Sequence, residues 1–66
     1  MLKVRPRLKE IMKEKGITQA VLSEMTGIPQ PSISRFDRNI QHLDWHVFTI
    51  AKALSVTVED LFEIEE

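Results

Sequence analysis

The chain has no cysteine, only two glycines, and no apolar run long enough to cross a bilayer. Without cysteine there is neither a disulfide nor a thiolate metal cage, so hydrophobic packing must be the main stabiliser and a reducing compartment is expected. Nowhere do 18 or more apolar residues follow one another, and the N-terminus MLKVRPRLKE is charged where a secretory leader would be apolar. A soluble, cytoplasmic protein is therefore expected. An excess of positive charge is missing too: nine Lys and Arg stand against ten Asp and Glu, a net charge of -1, whereas nucleic-acid-binding domains are usually basic. Length sets a last limit. Sixty-six residues make one domain, 1–66, and a chain this short buries only about 60% of the surface its unfolded form exposes.

What is present is polarity along the chain. Residues 1–39 hold eight cations and four acids, net +4; residues 40–66 hold Lys52 and six acids, net -5. Such halves predict one basic side and one acidic end, able to orient on a polyanion despite the near-neutral total. Strand-like alternation is confined to Leu2-Lys3-Val4-Arg5, so residues 1–5 are expected to form a short strand or arm.

Everything after Pro6 reads as helices. Pro6 stands where a first helix would begin, followed by Leu8, Ile11 and Met12 at helical spacing and by Gly16 as a stop. Later starts share one pattern, an apolar residue before the cap and another five positions on, which together staple the entry of the helix. Ile17 and Leu22 bracket Thr18, Leu43 and Phe48 bracket Asp44, and Val56 and Leu61 bracket Thr57, whose Asp60 completes a capping box. Ile28 and Ile33 bracket Pro29 in the same way. There either Pro29 precedes the helix, or Gln30 caps it with Pro31 as its first residue. Five helices follow, near 6–15, 18–26, 30–38, 44–54 and 57–64. The expected core is Leu8, Ile11, Ile17, Leu22, Ile28, Ile33, Phe36, Val47, Ile50, Ala51, Leu54, Val58 and Leu61.

Only Gly27-Ile28-Pro29 joins the second and third helices, and a short glycine-containing turn between two short helices is a helix-turn-helix signature. The segment TQAVLSEMTGIPQPSISRFDR resembles the phage-repressor (Cro-type, Xre-like) helix-turn-helix family, and the likeness continues through IAKALSVTVEDLF. Gln19, Ser23, Gly27 and Ile33 occupy the family's glutamine, small-residue, turn-glycine and buried-aliphatic positions. The resemblance implies an all-α, five-helix, lambda-repressor-like fold that binds double-stranded DNA as a transcriptional regulator, most naturally a repressor, without catalysis or cofactor. It also implies that the third helix enters the major groove. Gln30, Pro31 and Arg35 would then face bases, with Gln30 suited to adenine, Arg35 to guanine and Pro31 to a thymine methyl. Ser32 and Ser34 suit phosphate or base contacts. Thr18, Gln19, Arg38, Asn39 and the basic N-terminal segment would grip the backbone.

The chain departs from that pattern in several places. The arginine of the first helix and the glutamate late in the third, which commonly pair, are Met12 and Asp37 here, so Asp37 needs another partner or stays solvated. Ser23 replaces the commoner alanine, and its hydroxyl can bond back to the preceding turn. Asn39 stands where glycine is usual, as asparagine tolerates the left-handed region.

Other chemistries have less support. His42, Asp44 and His46 in HLDWH invite a metal reading, but Asp44 is better used as a cap and a third convincing ligand is lacking, so no metal site is expected. The scattered Ser, His and Asp lack a nucleophile elbow. The family usually binds palindromic operators as dimers, and Leu2 and Val4 on a self-pairing N-terminal strand, or Trp45 with the fifth helix, are the candidate dimer contacts. The chain ends soon after the helix-turn-helix fold, so any signal is expected to arrive through dimerisation or a partner protein. The rival function is a protein-interaction module, such as an antitoxin or anti-repressor component, using its acidic end Glu59 to Glu66.

Overall fold

The computed structural model describes residues 2–39 and 41–66; Met1, the first residue of the expected arm, lies outside them. Strand β1 (Lys3–Pro6) leads into helices α1 (Leu8–Lys15), α2 (Gln19–Thr26), α3 (Gln30–Arg35) and α4 (Asp44–Ala53), and the chain returns through strand β2 (Phe62–Glu65). Single 3-10 turns extend α3 over Phe36–Arg38 and precede β2 over Glu59–Leu61.

The expected fifth helix at 57–64 is not there. Its capping box forms, with the Thr57 amide donating to Asp60 Oδ2 at 3.0 Å and the Asp60 amide to Thr57 Oγ1 at 3.1 Å, but it starts a single 3-10 turn. The tail then extends and pairs antiparallel with β1 in the register Lys3↔Glu65, Val4↔Ile64, Arg5↔Glu63 and Pro6↔Phe62. Pairing with β1 gives the backbone groups of Phe62-Glu63-Ile64-Glu65 partners in a ladder, and this outweighs local helix preference there. The N-terminal strand thus pairs within its own chain. Pro6 ends β1 and does not open α1.

The buried core is Leu8, Ile11, Met12, Leu22, Ile28, Ile33, Phe36, Ile50, Ala51, Leu54 and Leu61, with Ile17, Val47, Val56, Val58 and Phe62 packed around it. Met12, where the family commonly has arginine, is thus core. One staple fails. Leu43 and Phe48 are 58% and 60% exposed, because α4 rolls Ile50 and Ala51 inward and leaves its other side to solvent. Leu43, not Asp44, is the cap residue, and Asp44 lies in the first turn, where its negative charge favourably meets the positive end of the helix dipole.

Two helices end in matching backbone motifs. After α1, Ile17 and Gly16 amides reach back to Met12 and Lys13 carbonyls, with Gly16 at φ 66°. After α4, Val56 and Ser55 amides reach Ala51 and Lys52, which requires φ 57° at Ser55, a serine where glycine is favoured.

Candidate nucleic-acid interface

The turn between α2 and α3 is braced by side chains. Thr18 caps α2, its Oγ1 accepting the Val21 amide at 3.2 Å. Gly27 ends the helix at φ 76°; no atom lies within 4 Å of where its Cβ would stand, so it is the backbone angle that calls for glycine. Thr26 Oγ1 donates to the Leu22 carbonyl at 2.7 Å and accepts the Ile28 amide at 3.1 Å. Ser23 does not bond back to its preceding turn: its Oγ donates forward to the Ile28 carbonyl at 2.6 Å, tying α2 to the start of α3. Ile28 and Ile33, both buried, fill the crossing.

Pro29 takes the cap position of α3, so Gln30 and Pro31 form its first turn, which answers the alternative left open by the two prolines. Proline costs nothing there, since the first amides of a helix have no partner within it. Ile33 anchors the inner side. Gln30, Pro31 and Arg35 are exposed, while Ser32 and Ser34 are half-buried. Helical spacing sets Pro31 and Arg35 one above the other, with Gln30 and Ser34 alongside. Thr18 is exposed and Gln19 half-buried at the front of α2, and Arg38 and Asn39 are exposed after α3. Asn39 is extended, with φ -83° and ψ 142°, and does not use the left-handed region.

Asp37 finds its partner in an unexpected place. Helix α1 has no capping side chain of its own, and the Asp37 carboxylate accepts the Leu8 amide at 2.8 Å and the Lys9 amide at 3.0 Å. Between Met25 and Leu43 the sequence has one acid, Asp37, and two cations, Arg35 and Arg38. That acid is bonded to α1, and among the described residues neither Arg35 nor Arg38 is in a salt bridge.

The charge halves do not separate into a basic side and an acidic end. In the sheet, Lys3 and Arg5 lie opposite Glu65 and Glu63, and Arg5 pairs with Glu63, whose hydrogen bond raises the arginine pKa further. Arg7 meets Glu10 and Glu14 at 3.4 and 3.5 Å. Arg5 and Arg7 of the basic N-terminal segment are thus paired with acids, and Arg5, Asp37, Arg38 and Asn39 line one open groove. The acidic end needed by a protein-interaction reading is likewise half engaged in β2.

His42 serves packing. Its ring stacks on Phe36 at 4.0 Å, its edge faces Phe62, and its Nε2 donates to the Phe36 carbonyl at 2.7 Å. Trp45 is 51% exposed and lies outside the buried core. Among the described residues no helix is long and apolar enough to cross a membrane.

Two short helices crossing at a glycine turn, the second presenting Gln30, Pro31 and Arg35 on its exposed side, define a helix-turn-helix protein. Residues 7–66 match the family model of the Cro/C1-type HTH DNA-binding domain, and the chain belongs to that family of DNA-binding regulators. No curated protein matches the chain.

Proposed function

We propose that the protein is a transcriptional repressor that occupies a short operator, with α3 in the major groove. Gln30 and Arg35 read base edges there, by bidentate pairing to adenine and guanine, and Pro31 lies against a thymine methyl. Thr18, Gln19, Ser32, Ser34, Arg38 and Asn39 hold phosphates on either side and set the register. Two copies act together on a two-fold operator, since one small module buries only about 600–1,000 Å² of protein surface on DNA.

The observation that carries this reading is the exposure of Gln30, Pro31 and Arg35 on a helix whose inner side is pinned by Ile33, with the neighbouring acid Asp37 bonded to α1. Selecting bound sites from a random duplex library is the test. An enriched motif is expected, with half-sites spaced by one helical turn, and affinity should fall with salt on a log-log slope near -0.9 per phosphate neutralised. A library that shows no enrichment over bulk duplex would remove the proposal.

A further inference from the structure

Helix α4 turns Ile50 and Ala51 into the core, and its opposite row is Asp44, Trp45, Phe48 and Lys52, all exposed. Trp45 and Phe48 are 51% and 60% exposed. Two large aromatics side by side on the solvent side of one helix are the kind of apolar area that contact surfaces use. The order of the row is informative. Residues 44, 48 and 52 stack at a spacing of four, so an acid and a cation lie on opposite sides of Phe48, each about 6 Å along the axis at 1.5 Å per residue. A second α4 laid antiparallel, with the two-fold axis at Phe48, sets Asp44 against the partner's Lys52 and Lys52 against the partner's Asp44. Every two-fold contact requires this reciprocity, in which residue i meets j and j meets i.

We propose that this row of α4 is the contact between two copies of the chain. The inference rests on the two-copy reading above and names its surface. The sheet serves the purpose less well. With the two-fold axis at Val4, edge pairing of β1 with its twin would set Lys3 against Arg5, and with the axis at Ile64, pairing of β2 with its twin would set Glu63 against Glu65; like charges directly opposite destabilise a strand pair. The α4 row lacks this conflict. It is a small contact, so the dimer is weak and depends on concentration.

Sedimentation of the whole chain over a concentration series, without DNA, tests the surface separately from DNA reading. The wild type is expected to dimerise, and Phe48→Asp to stay monomeric at every concentration where the wild type pairs. Asp44→Lys and Lys52→Asp are each expected to be monomeric alone, yet to form a heterodimer when mixed in equal amounts, and the double variant D44K/K52D to dimerise again. Circular dichroism checks that each variant is folded, and recovery on mixing is a result that lost folding cannot produce. A Phe48→Asp protein that dimerises like the wild type overturns the surface while leaving the two-copy reading intact, as does loss of the dimer in Val4→Asp alone. Two single variants that stay monomeric when mixed overturn the antiparallel arrangement. A wild type that is monomeric throughout overturns surface and two-copy reading together, with site selection still able to succeed.

Discussion

The Asp37 carboxylate receives the Leu8 and Lys9 amides, the donors that open α1, from 29 and 28 positions further along the chain. Removing it leaves those amides without their charged acceptor. Asp37→Ala is expected to cost about 1–2 kcal/mol, lowering Tm by about 4–8 °C per kcal/mol, with Asp37→Asn losing less because it keeps one acceptor oxygen. Urea unfolding checks this, and an unchanged midpoint would mean that α1 is held by its core side alone. Two of the residues with left-handed backbone, Ser55 and Gly27, make a paired test. Ser55→Gly at φ 57° is expected to stabilise by about 0.5–1 kcal/mol, whereas Gly27→Ala at φ 76° should cost about 1–2 kcal/mol. That Asp37 lacked an arginine partner was legible from Met12. Its actual target was not, because a carboxylate reaching backbone amides almost thirty residues away leaves no mark on local spacing. The forward bond of Ser23 was hidden for a similar reason: the hydroxyl had two carbonyls within reach, and packing chose between them.

The helices of the turn were legible because their ends carry chemistry. Thr18 caps, Gly16 and Gly27 stop, and the apolar pairs Ile17 with Leu22 and Ile28 with Ile33 lie in or against the core. The C-terminal element was misread because Thr57 and Asp60 do form a capping box, which starts a helix only if the residues after it continue one. The strict alternation of Phe62-Glu63-Ile64-Glu65 was the signal that could have shown β2. The failed staple at Leu43 and Phe48 had no such local sign, since the roll of α4 is decided by Ile50 and Ala51. The same capping box makes a pH prediction. Hydrogen bonds from the Thr57 amide, and then from its hydroxyl, hold the Asp60 pKa below the usual carboxylate range. A lowered folded-state pKa contributes stability that is present above the unfolded value and is lost as pH falls through the folded one. Asp60→Asn should therefore be less stable than the wild type at neutral pH, by a gap that closes in acid. Unfolding curves at a series of pH values measure it, and a gap independent of pH would show that the ionised form contributes nothing.

Over the whole molecule, the near-neutral total conceals a division made by pairing. Arg5 and Arg7 are engaged by acids of β2 and α1, while Arg35 and Arg38 border α3 with their neighbouring acid engaged on α1. Composition alone pointed away from nucleic acid, and the blocks of charge along the chain suggested a two-sided molecule. Neither showed which cations remain available, because that depends on a strand register no local pattern encodes. Phosphate contacts at Arg38 and base contacts at Arg35 should separate in their consequences. Arg38→Ala is expected to weaken binding alike on all sequences and to reduce the magnitude of the salt slope by about one, with little change in preference. The most direct measurement of base reading by α3 is competition between the selected operator and bulk duplex at fixed salt, for the wild type and for Arg35→Ala. Arg35→Ala should lose about 1–3 kcal/mol of discrimination, concentrated at one base pair of each half-site, while retaining most of its non-specific binding. An Arg35→Ala protein that keeps the wild-type ratio of operator to bulk affinity would contradict the placement of α3 in the groove.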